Sequence, residues 1–325
     1  MQALVTGATG CVGANVVAAL LERGYQVRAM HRATSRLDAL AGLEVESVVA
    51  DVLDPPSLVP AMQGCRLVFH VAAVSDYWRT AADAIYRVNV DGTRNVVDAA
   101  LQAGVERLVL TSSVAALGIP SPGQLLDERA TFNLPPHRFH YGYSKHLAEQ
   151  VLREGREKGL DGVIVNPTGV IGPRDVHWIS GSLLREVQNG WAWFAPAGGI
   201  SWASAVDVGL GHVLAAERGR SGERYVLGGE NLSHREALEV VSGLVGGRRP
   251  LFTIPFSLTN LFVGSVRVLR RVIPIPISPE QVWLSAREIY CDSGKAAREL
   301  AYLQAPFGAA VEQAYRWYQE RGWLQ

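Results

Sequence analysis

Short apolar runs and helical stripes alternate along the first third of the chain. Ala3–Thr6, Val27–Met30, Val45–Ala50, Leu67–Val71 and Leu108–Leu110 are largely apolar and of strand length. Between them, Val12–Arg23 carries apolar residues at helical spacing and stops at Gly24, and Ser57–Gln63 and Gly92–Ala103 read as further helices. Strands without a polar face, separated by helices, predict a parallel sheet covered on both sides. After Gly162 the rhythm changes. Val163–Val165 is one more strand, residues 172–202 read as irregular and aromatic, and Arg224–Leu227 is a late strand of the same sheet. From residue 233 onward the pattern is mostly helical, broken at Pro274–Pro279.

Right-handed crossovers turn such a pattern into a doubly wound α/β sheet of the Rossmann type, with its ligand crevice at the carboxyl ends of the strands. The expected organisation is a dinucleotide-binding part over residues 1–165, to which 203–230 return. A smaller, mostly helical substrate-binding lobe takes residues 166–202 and 231–325.

Composition narrows the function. Among 325 residues, 31 Lys and Arg balance 31 Asp and Glu, so no net field draws the chain to nucleic acid. With 48% hydrophobic and 19% charged residues, disorder is excluded. Cys11, Cys65 and Cys291 are odd in number and far apart, giving neither a disulfide framework nor a cysteine metal site and fitting a reducing compartment. A strand begins at once after Met1, and no apolar run reaches the ~18 residues of a membrane span, so a cytoplasmic protein without stable membrane insertion is expected.

The first of the 33 glycines sit where they carry chemistry. Gly7, Gly10 and Gly13 occupy the turn Gly7-Ala-Thr9-Gly10-Cys11-Val12-Gly13 between the first strand and the first helix. Such a turn brings backbone N–H groups and the helix's positive end to a pyrophosphate. Where an NAD site usually has a carboxylate at the end of the second strand, this chain has His31 and Arg32, with Arg36 in the next loop. Arginine suits a 2′-phosphate, so NADP(H) is the expected cofactor, with NAD(H) the alternative. Asp51 and Val52 fall where the adenine would lie, and Val71, Ala72 and Ala73 beside its ribose.

The strand Leu108–Leu110 runs into Thr111, Ser112 and Ser113, and Tyr141 and Lys145 lie four apart on one helix face. Carbonyl reduction needs a proton donor for the oxygen. A tyrosine beside an ammonium, with a serine to hold the carbonyl, supplies one, the ammonium being expected to lower the tyrosine's pKa.

With these motifs in view, the chain resembles the extended short-chain dehydrogenases/reductases, over nearly its whole length. The carrying motifs are Thr6–Gly13, Asp51-Val52, His70–Ala73, Asn89-Val-Asp-Gly-Thr93, Thr111–Ser113, Tyr141–Lys145 and Asn166-Pro167-Thr168. The resemblance implies Ser113, Tyr141 and Lys145 as catalytic residues, and Pro167, Thr168 and Val170 beside the nicotinamide. It also implies a structural role for Asn89, and a homodimer formed through Gly92–Ala103 and Tyr141–Arg156. Within the superfamily the chain is similar to the dihydroflavonol-4-reductase-like branch, and to bacterial hopanoid-associated sugar epimerase-like proteins through Gly222–Asn231.

Two departures separate it from nucleotide-sugar enzymes. Ser113 is followed by Val114-Ala115-Ala116 rather than the dehydratases' Asp-Glu pair. The segment Gly199–Asp207 lacks the epimerases' diphosphate-gripping arginine, for which Arg174 or Arg185 would have to substitute. Tyr77, Trp78, Trp178, Trp193 and Trp202 are instead expected to line, with Ser113, a pocket for a small apolar or aromatic carbonyl or alcohol. Epimerase and dinucleotide-sensing readings remain the alternatives. His137 and His140 are expected in a loop beside the substrate, without a metal. Phe256–Ile273 mixes apolar residues with arginines and is expected to pack on its own domain, a membrane surface being the alternative.

Overall fold

The computed structural model describes residues 1–270 and 277–325. The last residues of Phe256–Ile273 and part of Pro274–Pro279 lie outside them. In the first half, strands β1 (Gln2–Thr6), β2 (Gln26–His31), β3 (Glu46–Val49), β4 (Leu67–His70), β5 (Arg107–Thr111) and β6 (Gly162–Pro167) alternate with helices. These are α1 (Cys11–Glu22), α2 (Pro55–Met62), α3 (Ala82–Tyr86), α4 (Gly92–Ala103) and α5 (His140–Glu157). The second half contains β7 (Gly169–Ile171), α6 (Ser182–Gln188), β8 (Phe194–Ala195), β9 (Gly199–Ser204), α7 (Ala205–Arg218), β10 (Arg224–Leu227) and β11 (Glu230–Ser233). Then follow α8 (His234–Val245), β12 (Phe252–Thr253), α9 (Thr259–Leu269), α10 (Pro279–Ser285), β13 (Glu288–Ile289), α11 (Gly294–Leu300) and α12 (Phe307–Gln319).

Seven strands form one parallel sheet in the order β10-β6-β5-β4-β1-β2-β3, the Rossmann order with one strand added beyond β6. Its inner strands are largely apolar because both faces are covered. Leu4, Val68, Leu108 and Ile164 belong to the core on the side of α2, α4 and α5; Val5, Phe69, Val109 and Val165 belong to the one on the side of α1 and α7. The strand order reverses between β1 and β4, which opens the crevice at the carboxyl ends.

The part after β6 is more ordered than its sequence predicts. Within residues 172–202 the chain forms α6, β8 and most of β9. Strand β9 pairs with β11 along one edge and with β13 and then β7 along the other. The Phe256–Ile273 reading holds in part as far as it is described: α9 packs on α10 of its own chain, yet of its eleven residues only Thr259 is buried. Among the described residues no helix is long and apolar enough to cross a membrane.

Candidate active site

The carboxyl ends of β1, β2, β4, β5 and β6 open onto one cleft of about 950 Å³, whose other wall comes from residues 175–180, β9, His234 and α10. That volume lies at the upper end for a single ligand site. Gly7, Thr9, Gly10, Cys11, Val12 and Gly13 line one end, together with His31, Arg32, Asp51, Val52, Val71, Ala72 and Ala73. Thr111, Ser112, Ser113, Tyr141, Lys145, Pro167, Thr168 and Val170 line the middle, and Tyr77, Trp78 and Trp202 the far part.

Arg36, Trp178 and Trp193 are not part of this lining. Arg36 is paired with Asp38 at 3.0 Å and lies over Trp323. Trp178 stacks on Tyr318 with ring centres 4.3 Å apart, closing the C-terminal helix onto the lobe. Trp193 is largely exposed. His137 and His140 also stay outside; the His140 ring pairs with the Tyr86 hydroxyl at 3.0 Å. The possible substitutes for a diphosphate-gripping arginine are engaged elsewhere. Arg174 donates to the carbonyl of Ala39, and Arg185 sits over the Trp178 ring.

Strand β5 and helix α5 together set the geometry of the candidate site. Lys145 is buried and donates through Nζ to the Thr111 carbonyl at 2.9 Å. Burial pulls its pKa down to about 8, while the charge of Glu149, one turn on, pushes the other way. Glu149 is itself fully buried. It accepts from Ser112 Oγ at 2.6 Å and Asn166 Nδ2 at 2.8 Å, and pairs with Arg153 and Arg224 at 3.2 and 3.3 Å. Burial holds the Tyr141 hydroxyl above its ordinary value, and the Ser113 side chain acts against that rise. The expectation that Lys145 lowers the tyrosine is therefore not met in this arrangement, because the ammonium is turned to the end of β5.

Supporting contacts lie just behind. Asn89 accepts from Val74 N–H at 2.7 Å and donates to Ser144 at 3.0 Å, tying the loop after β4 to α5. His212 points Nδ1 at the Val208 carbonyl, so that nitrogen carries the proton and Nε2 accepts from the Thr111 hydroxyl at 2.9 Å. Over Tyr141 an aromatic wall forms. Tyr77 stacks on it at 5.4 Å and meets Trp78 and Phe139 edge-on at 5.3 and 5.4 Å.

Residues 3–228 match the model of the family described as "NAD dependent epimerase/dehydratase family". The chain belongs to that family. It is 40% identical over 99% of its length, and 95% of the relative's, to a Synechocystis protein named "Putative dihydroflavonol 4-reductase". It is 33% identical over the full length of both chains to "Sterol demethylase protein B" of Methylococcus capsulatus. A solved Pseudomonas aeruginosa structure described as a nucleoside-diphosphate-sugar epimerase superposes with a TM-score of 0.84 at 26% identity, covering 100% of this chain and 99% of that one. As an epimerase/dehydratase-family member of the short-chain dehydrogenase/reductase type, the protein is an NAD(P)-dependent enzyme.

The residues of this family member fit a dinucleotide. A Cβ on Gly7 would lie 2.7 Å from the Ala72 backbone, and one on Gly13 2.2 Å from the Gly7 carbonyl, so the turn packs too closely for any side chain there. A Cβ on Gly10 would meet nothing nearer than 3.5 Å. What Gly10 leaves open is the cleft itself. No side chain caps α1 at Gly10, leaving its first N–H groups to an anion. Thr168, Trp202 and His234 line the cleft, and each keeps a buried side-chain polar atom without a partner among the described residues.

Sequence reasoning missed the lobe side of the cleft: His177, Ile179, Ser180, His234, Gln281 and Ser285. The Ser233-His-Arg-Glu236 capping box that starts α8 beside the site is a recognisable signal, although nothing in it points to a ligand. Burial keeps His234 neutral, its pKa drawn down to about 4.

Proposed function

We propose that this enzyme is an NADPH-dependent reductase of ketones or aldehydes on small apolar or aromatic molecules. Tyr141 is the proton donor, Ser113 orients the carbonyl, and Lys145, on turning its ammonium from the Thr111 carbonyl towards Tyr141, steadies the charge left on the tyrosine. The observation that carries the reading is the aromatic wall of Tyr77, Trp78 and Phe139 built against Tyr141, facing a lobe side that, among the described residues, brings no arginine to the cleft; Arg79, at the wall, lies over the Trp78 ring. Bound NADPH supplies the hydride that the carbonyl carbon takes up.

The chain's own residues handle the proton. Tyr141, like any tyrosine, is protonated at neutral pH, and burial raises its pKa further, so its O–H is available to the carbonyl oxygen as negative charge builds there. The Ser113 hydroxyl holds the same oxygen. It also caps the turn that follows, accepting from Ala115 N–H at 3.2 Å. Glu149, packed behind α5, favours the charged form of Lys145 in a site that otherwise disfavours it.

The NADPH preference rests on the end of β2. His31 and Arg32 line the cleft there, no carboxylate follows them, and the His31 ring is held by Ser47 Oγ at 2.6 Å. A homodimer through the outer faces of α4 and α5 accompanies this reading. The reductase name of the Synechocystis relative supports it. The epimerase name of the Pseudomonas structure favours a second reading, turnover of a nucleotide sugar. A panel of aryl, alicyclic and UDP-sugar substrates, run with NADPH and with NADH, separates the two. NADPH-dependent reduction of at least one aryl or alicyclic ketone or aldehyde is expected. Turnover of UDP-sugars alone, or binding of NADH as tight as NADPH, would overturn the proposal.

A further inference from the structure

From Val240 to Pro279 the chain carries five arginines, at 248, 249, 267, 270 and 271, and not one Asp or Glu. Residues 187–206 carry no charge of either sign. The structure joins these two stretches. β8 pairs with β12, the Phe194 and Phe252 rings stack, and Leu251 N–H donates to the Trp193 carbonyl at 2.8 Å. The chain then runs through the exposed Phe256 and Leu258 directly into α9.

Scattered exposed apolar residues are ordinary, but a continuous set is not. Here Trp191 (73% exposed), Trp193, Phe194, Leu251 (78%), Phe252, Phe256, Leu261 (67%) and Val268 (63%) follow one another along this arm. In α9 the apolar residues Leu261, Phe262, Val268 and Leu269 are all exposed, with Arg267 among them and Arg270 directly after the helix. A helix built to cover its own core would bury such residues.

We infer that this arm, residues 187–194 together with 248–270, docks onto an anionic phospholipid surface. Charge complementarity selects that occupant. The arm is cationic without a single compensating carboxylate, which suits lipid phosphates. Its tryptophans, phenylalanines and leucines are of the kinds that settle at the boundary between headgroups and acyl chains. A second copy of this chain would bring the same arginines face to face. The docked surface also reaches the cleft. α9 packs on α10, and Gln281, Leu284 and Ser285 of α10 line the site, so the bilayer face lies one helix away from the pocket wall. This inference stands apart from the proposed chemistry and does not depend on it.

Flotation of the full chain with vesicles tests it. The probes are phosphatidylcholine alone and phosphatidylcholine with about one third phosphatidylglycerol, each at low and high salt. The chain is expected to float with the anionic vesicles at low salt and at least about tenfold less with the neutral ones. Trp193→Ser with Leu261→Ser and Val268→Ser should lower flotation about tenfold, and Arg267→Gln with Arg270→Gln should remove its salt-sensitive part. Because all five side chains are exposed, thermal unfolding should be unchanged in both variants. No flotation with either vesicle, or flotation indifferent to these substitutions, would overturn the inference. So would a wild type that does not float and whose dimer, seen by sedimentation, becomes a monomer in the first variant.

Discussion

Helices α4 and α9 carry similar amphipathic patterns and meet opposite fates. In α4 the apolar stripe of Val96, Val97, Ala99 and Ala100 is buried under the sheet and beside α5, its neighbour in the catalytic layer. In α9 the stripe of Leu261, Phe262, Val268 and Leu269 stays bare. A periodic apolar pattern states that a helix has a face to cover; it does not state what covers it. The first half of the chain covers its faces internally and so builds a rigid edge for chemistry. The arm before α10 leaves its face to something outside the fold.

The largest effect expected from breaking the covered half is at the glycine turn. Gly13→Ala forces a Cβ into the Gly7 backbone and should cost about 3 kcal/mol or more in urea unfolding, whereas Gly10→Ala should leave stability within about 0.5 kcal/mol. The same Gly10→Ala should weaken dinucleotide binding at least about tenfold in a fluorescence titration, because its methyl group stands where the pyrophosphate approaches the backbone. Equal behaviour of the two variants would contradict the division between packing and ligand glycines.

Next comes the helix comparison itself. Val96→Ala on α4 should destabilise by about 2 kcal/mol, and Val268→Ala on α9 by less than about 0.5 kcal/mol, both read from the urea midpoint. A loss at Val268 as large as at Val96 would mean that α9 is covered in the folded chain.

The smallest effect is a displacement of a pH profile. In the proposed mechanism Lys145 acts as a protonated ammonium, and burial draws its pKa down to about 8. Reduction should therefore fall as pH rises through about 8. Glu149 pushes that value upward, so Glu149→Gln should move the falling limb to lower pH, with kcat affected more than KM. A limb that stays in place would remove Glu149 from the control of Lys145.

The legible part of the molecule follows this same division. Strands β1 to β6 and β10, and helices α1, α2 and α4, were readable within a residue or two, because parallel strands buried on both faces are continuous apolar runs and the helices between them are periodic. Arg32 and the glycines were readable because their position after a strand fixes where they sit.

The lobe was not readable for equally physical reasons. Its strands β11 and β13 are short and polar, Glu230-Asn-Leu-Ser233 and Glu288-Ile289, and make sense only against β9. Trp178 read as a pocket residue but belongs with Tyr318, which lies far along the chain and which no local pattern links to it. Arg36, read as an aid to the 2′-phosphate, is paired instead with Asp38 two residues on. His234 on the lobe wall had no neighbouring motif to mark it.

The central claim is that Tyr141 delivers the proton in an NADPH-dependent carbonyl reduction. Steady-state reduction of a responsive aryl ketone or aldehyde by the wild type and by Tyr141→Phe, with NADPH affinity titrated on both proteins, tests it most directly. The account predicts a loss of about 10³-fold in kcat with NADPH affinity changed less than about threefold. A Tyr141→Phe enzyme that keeps turnover within about tenfold of the wild type would contradict it.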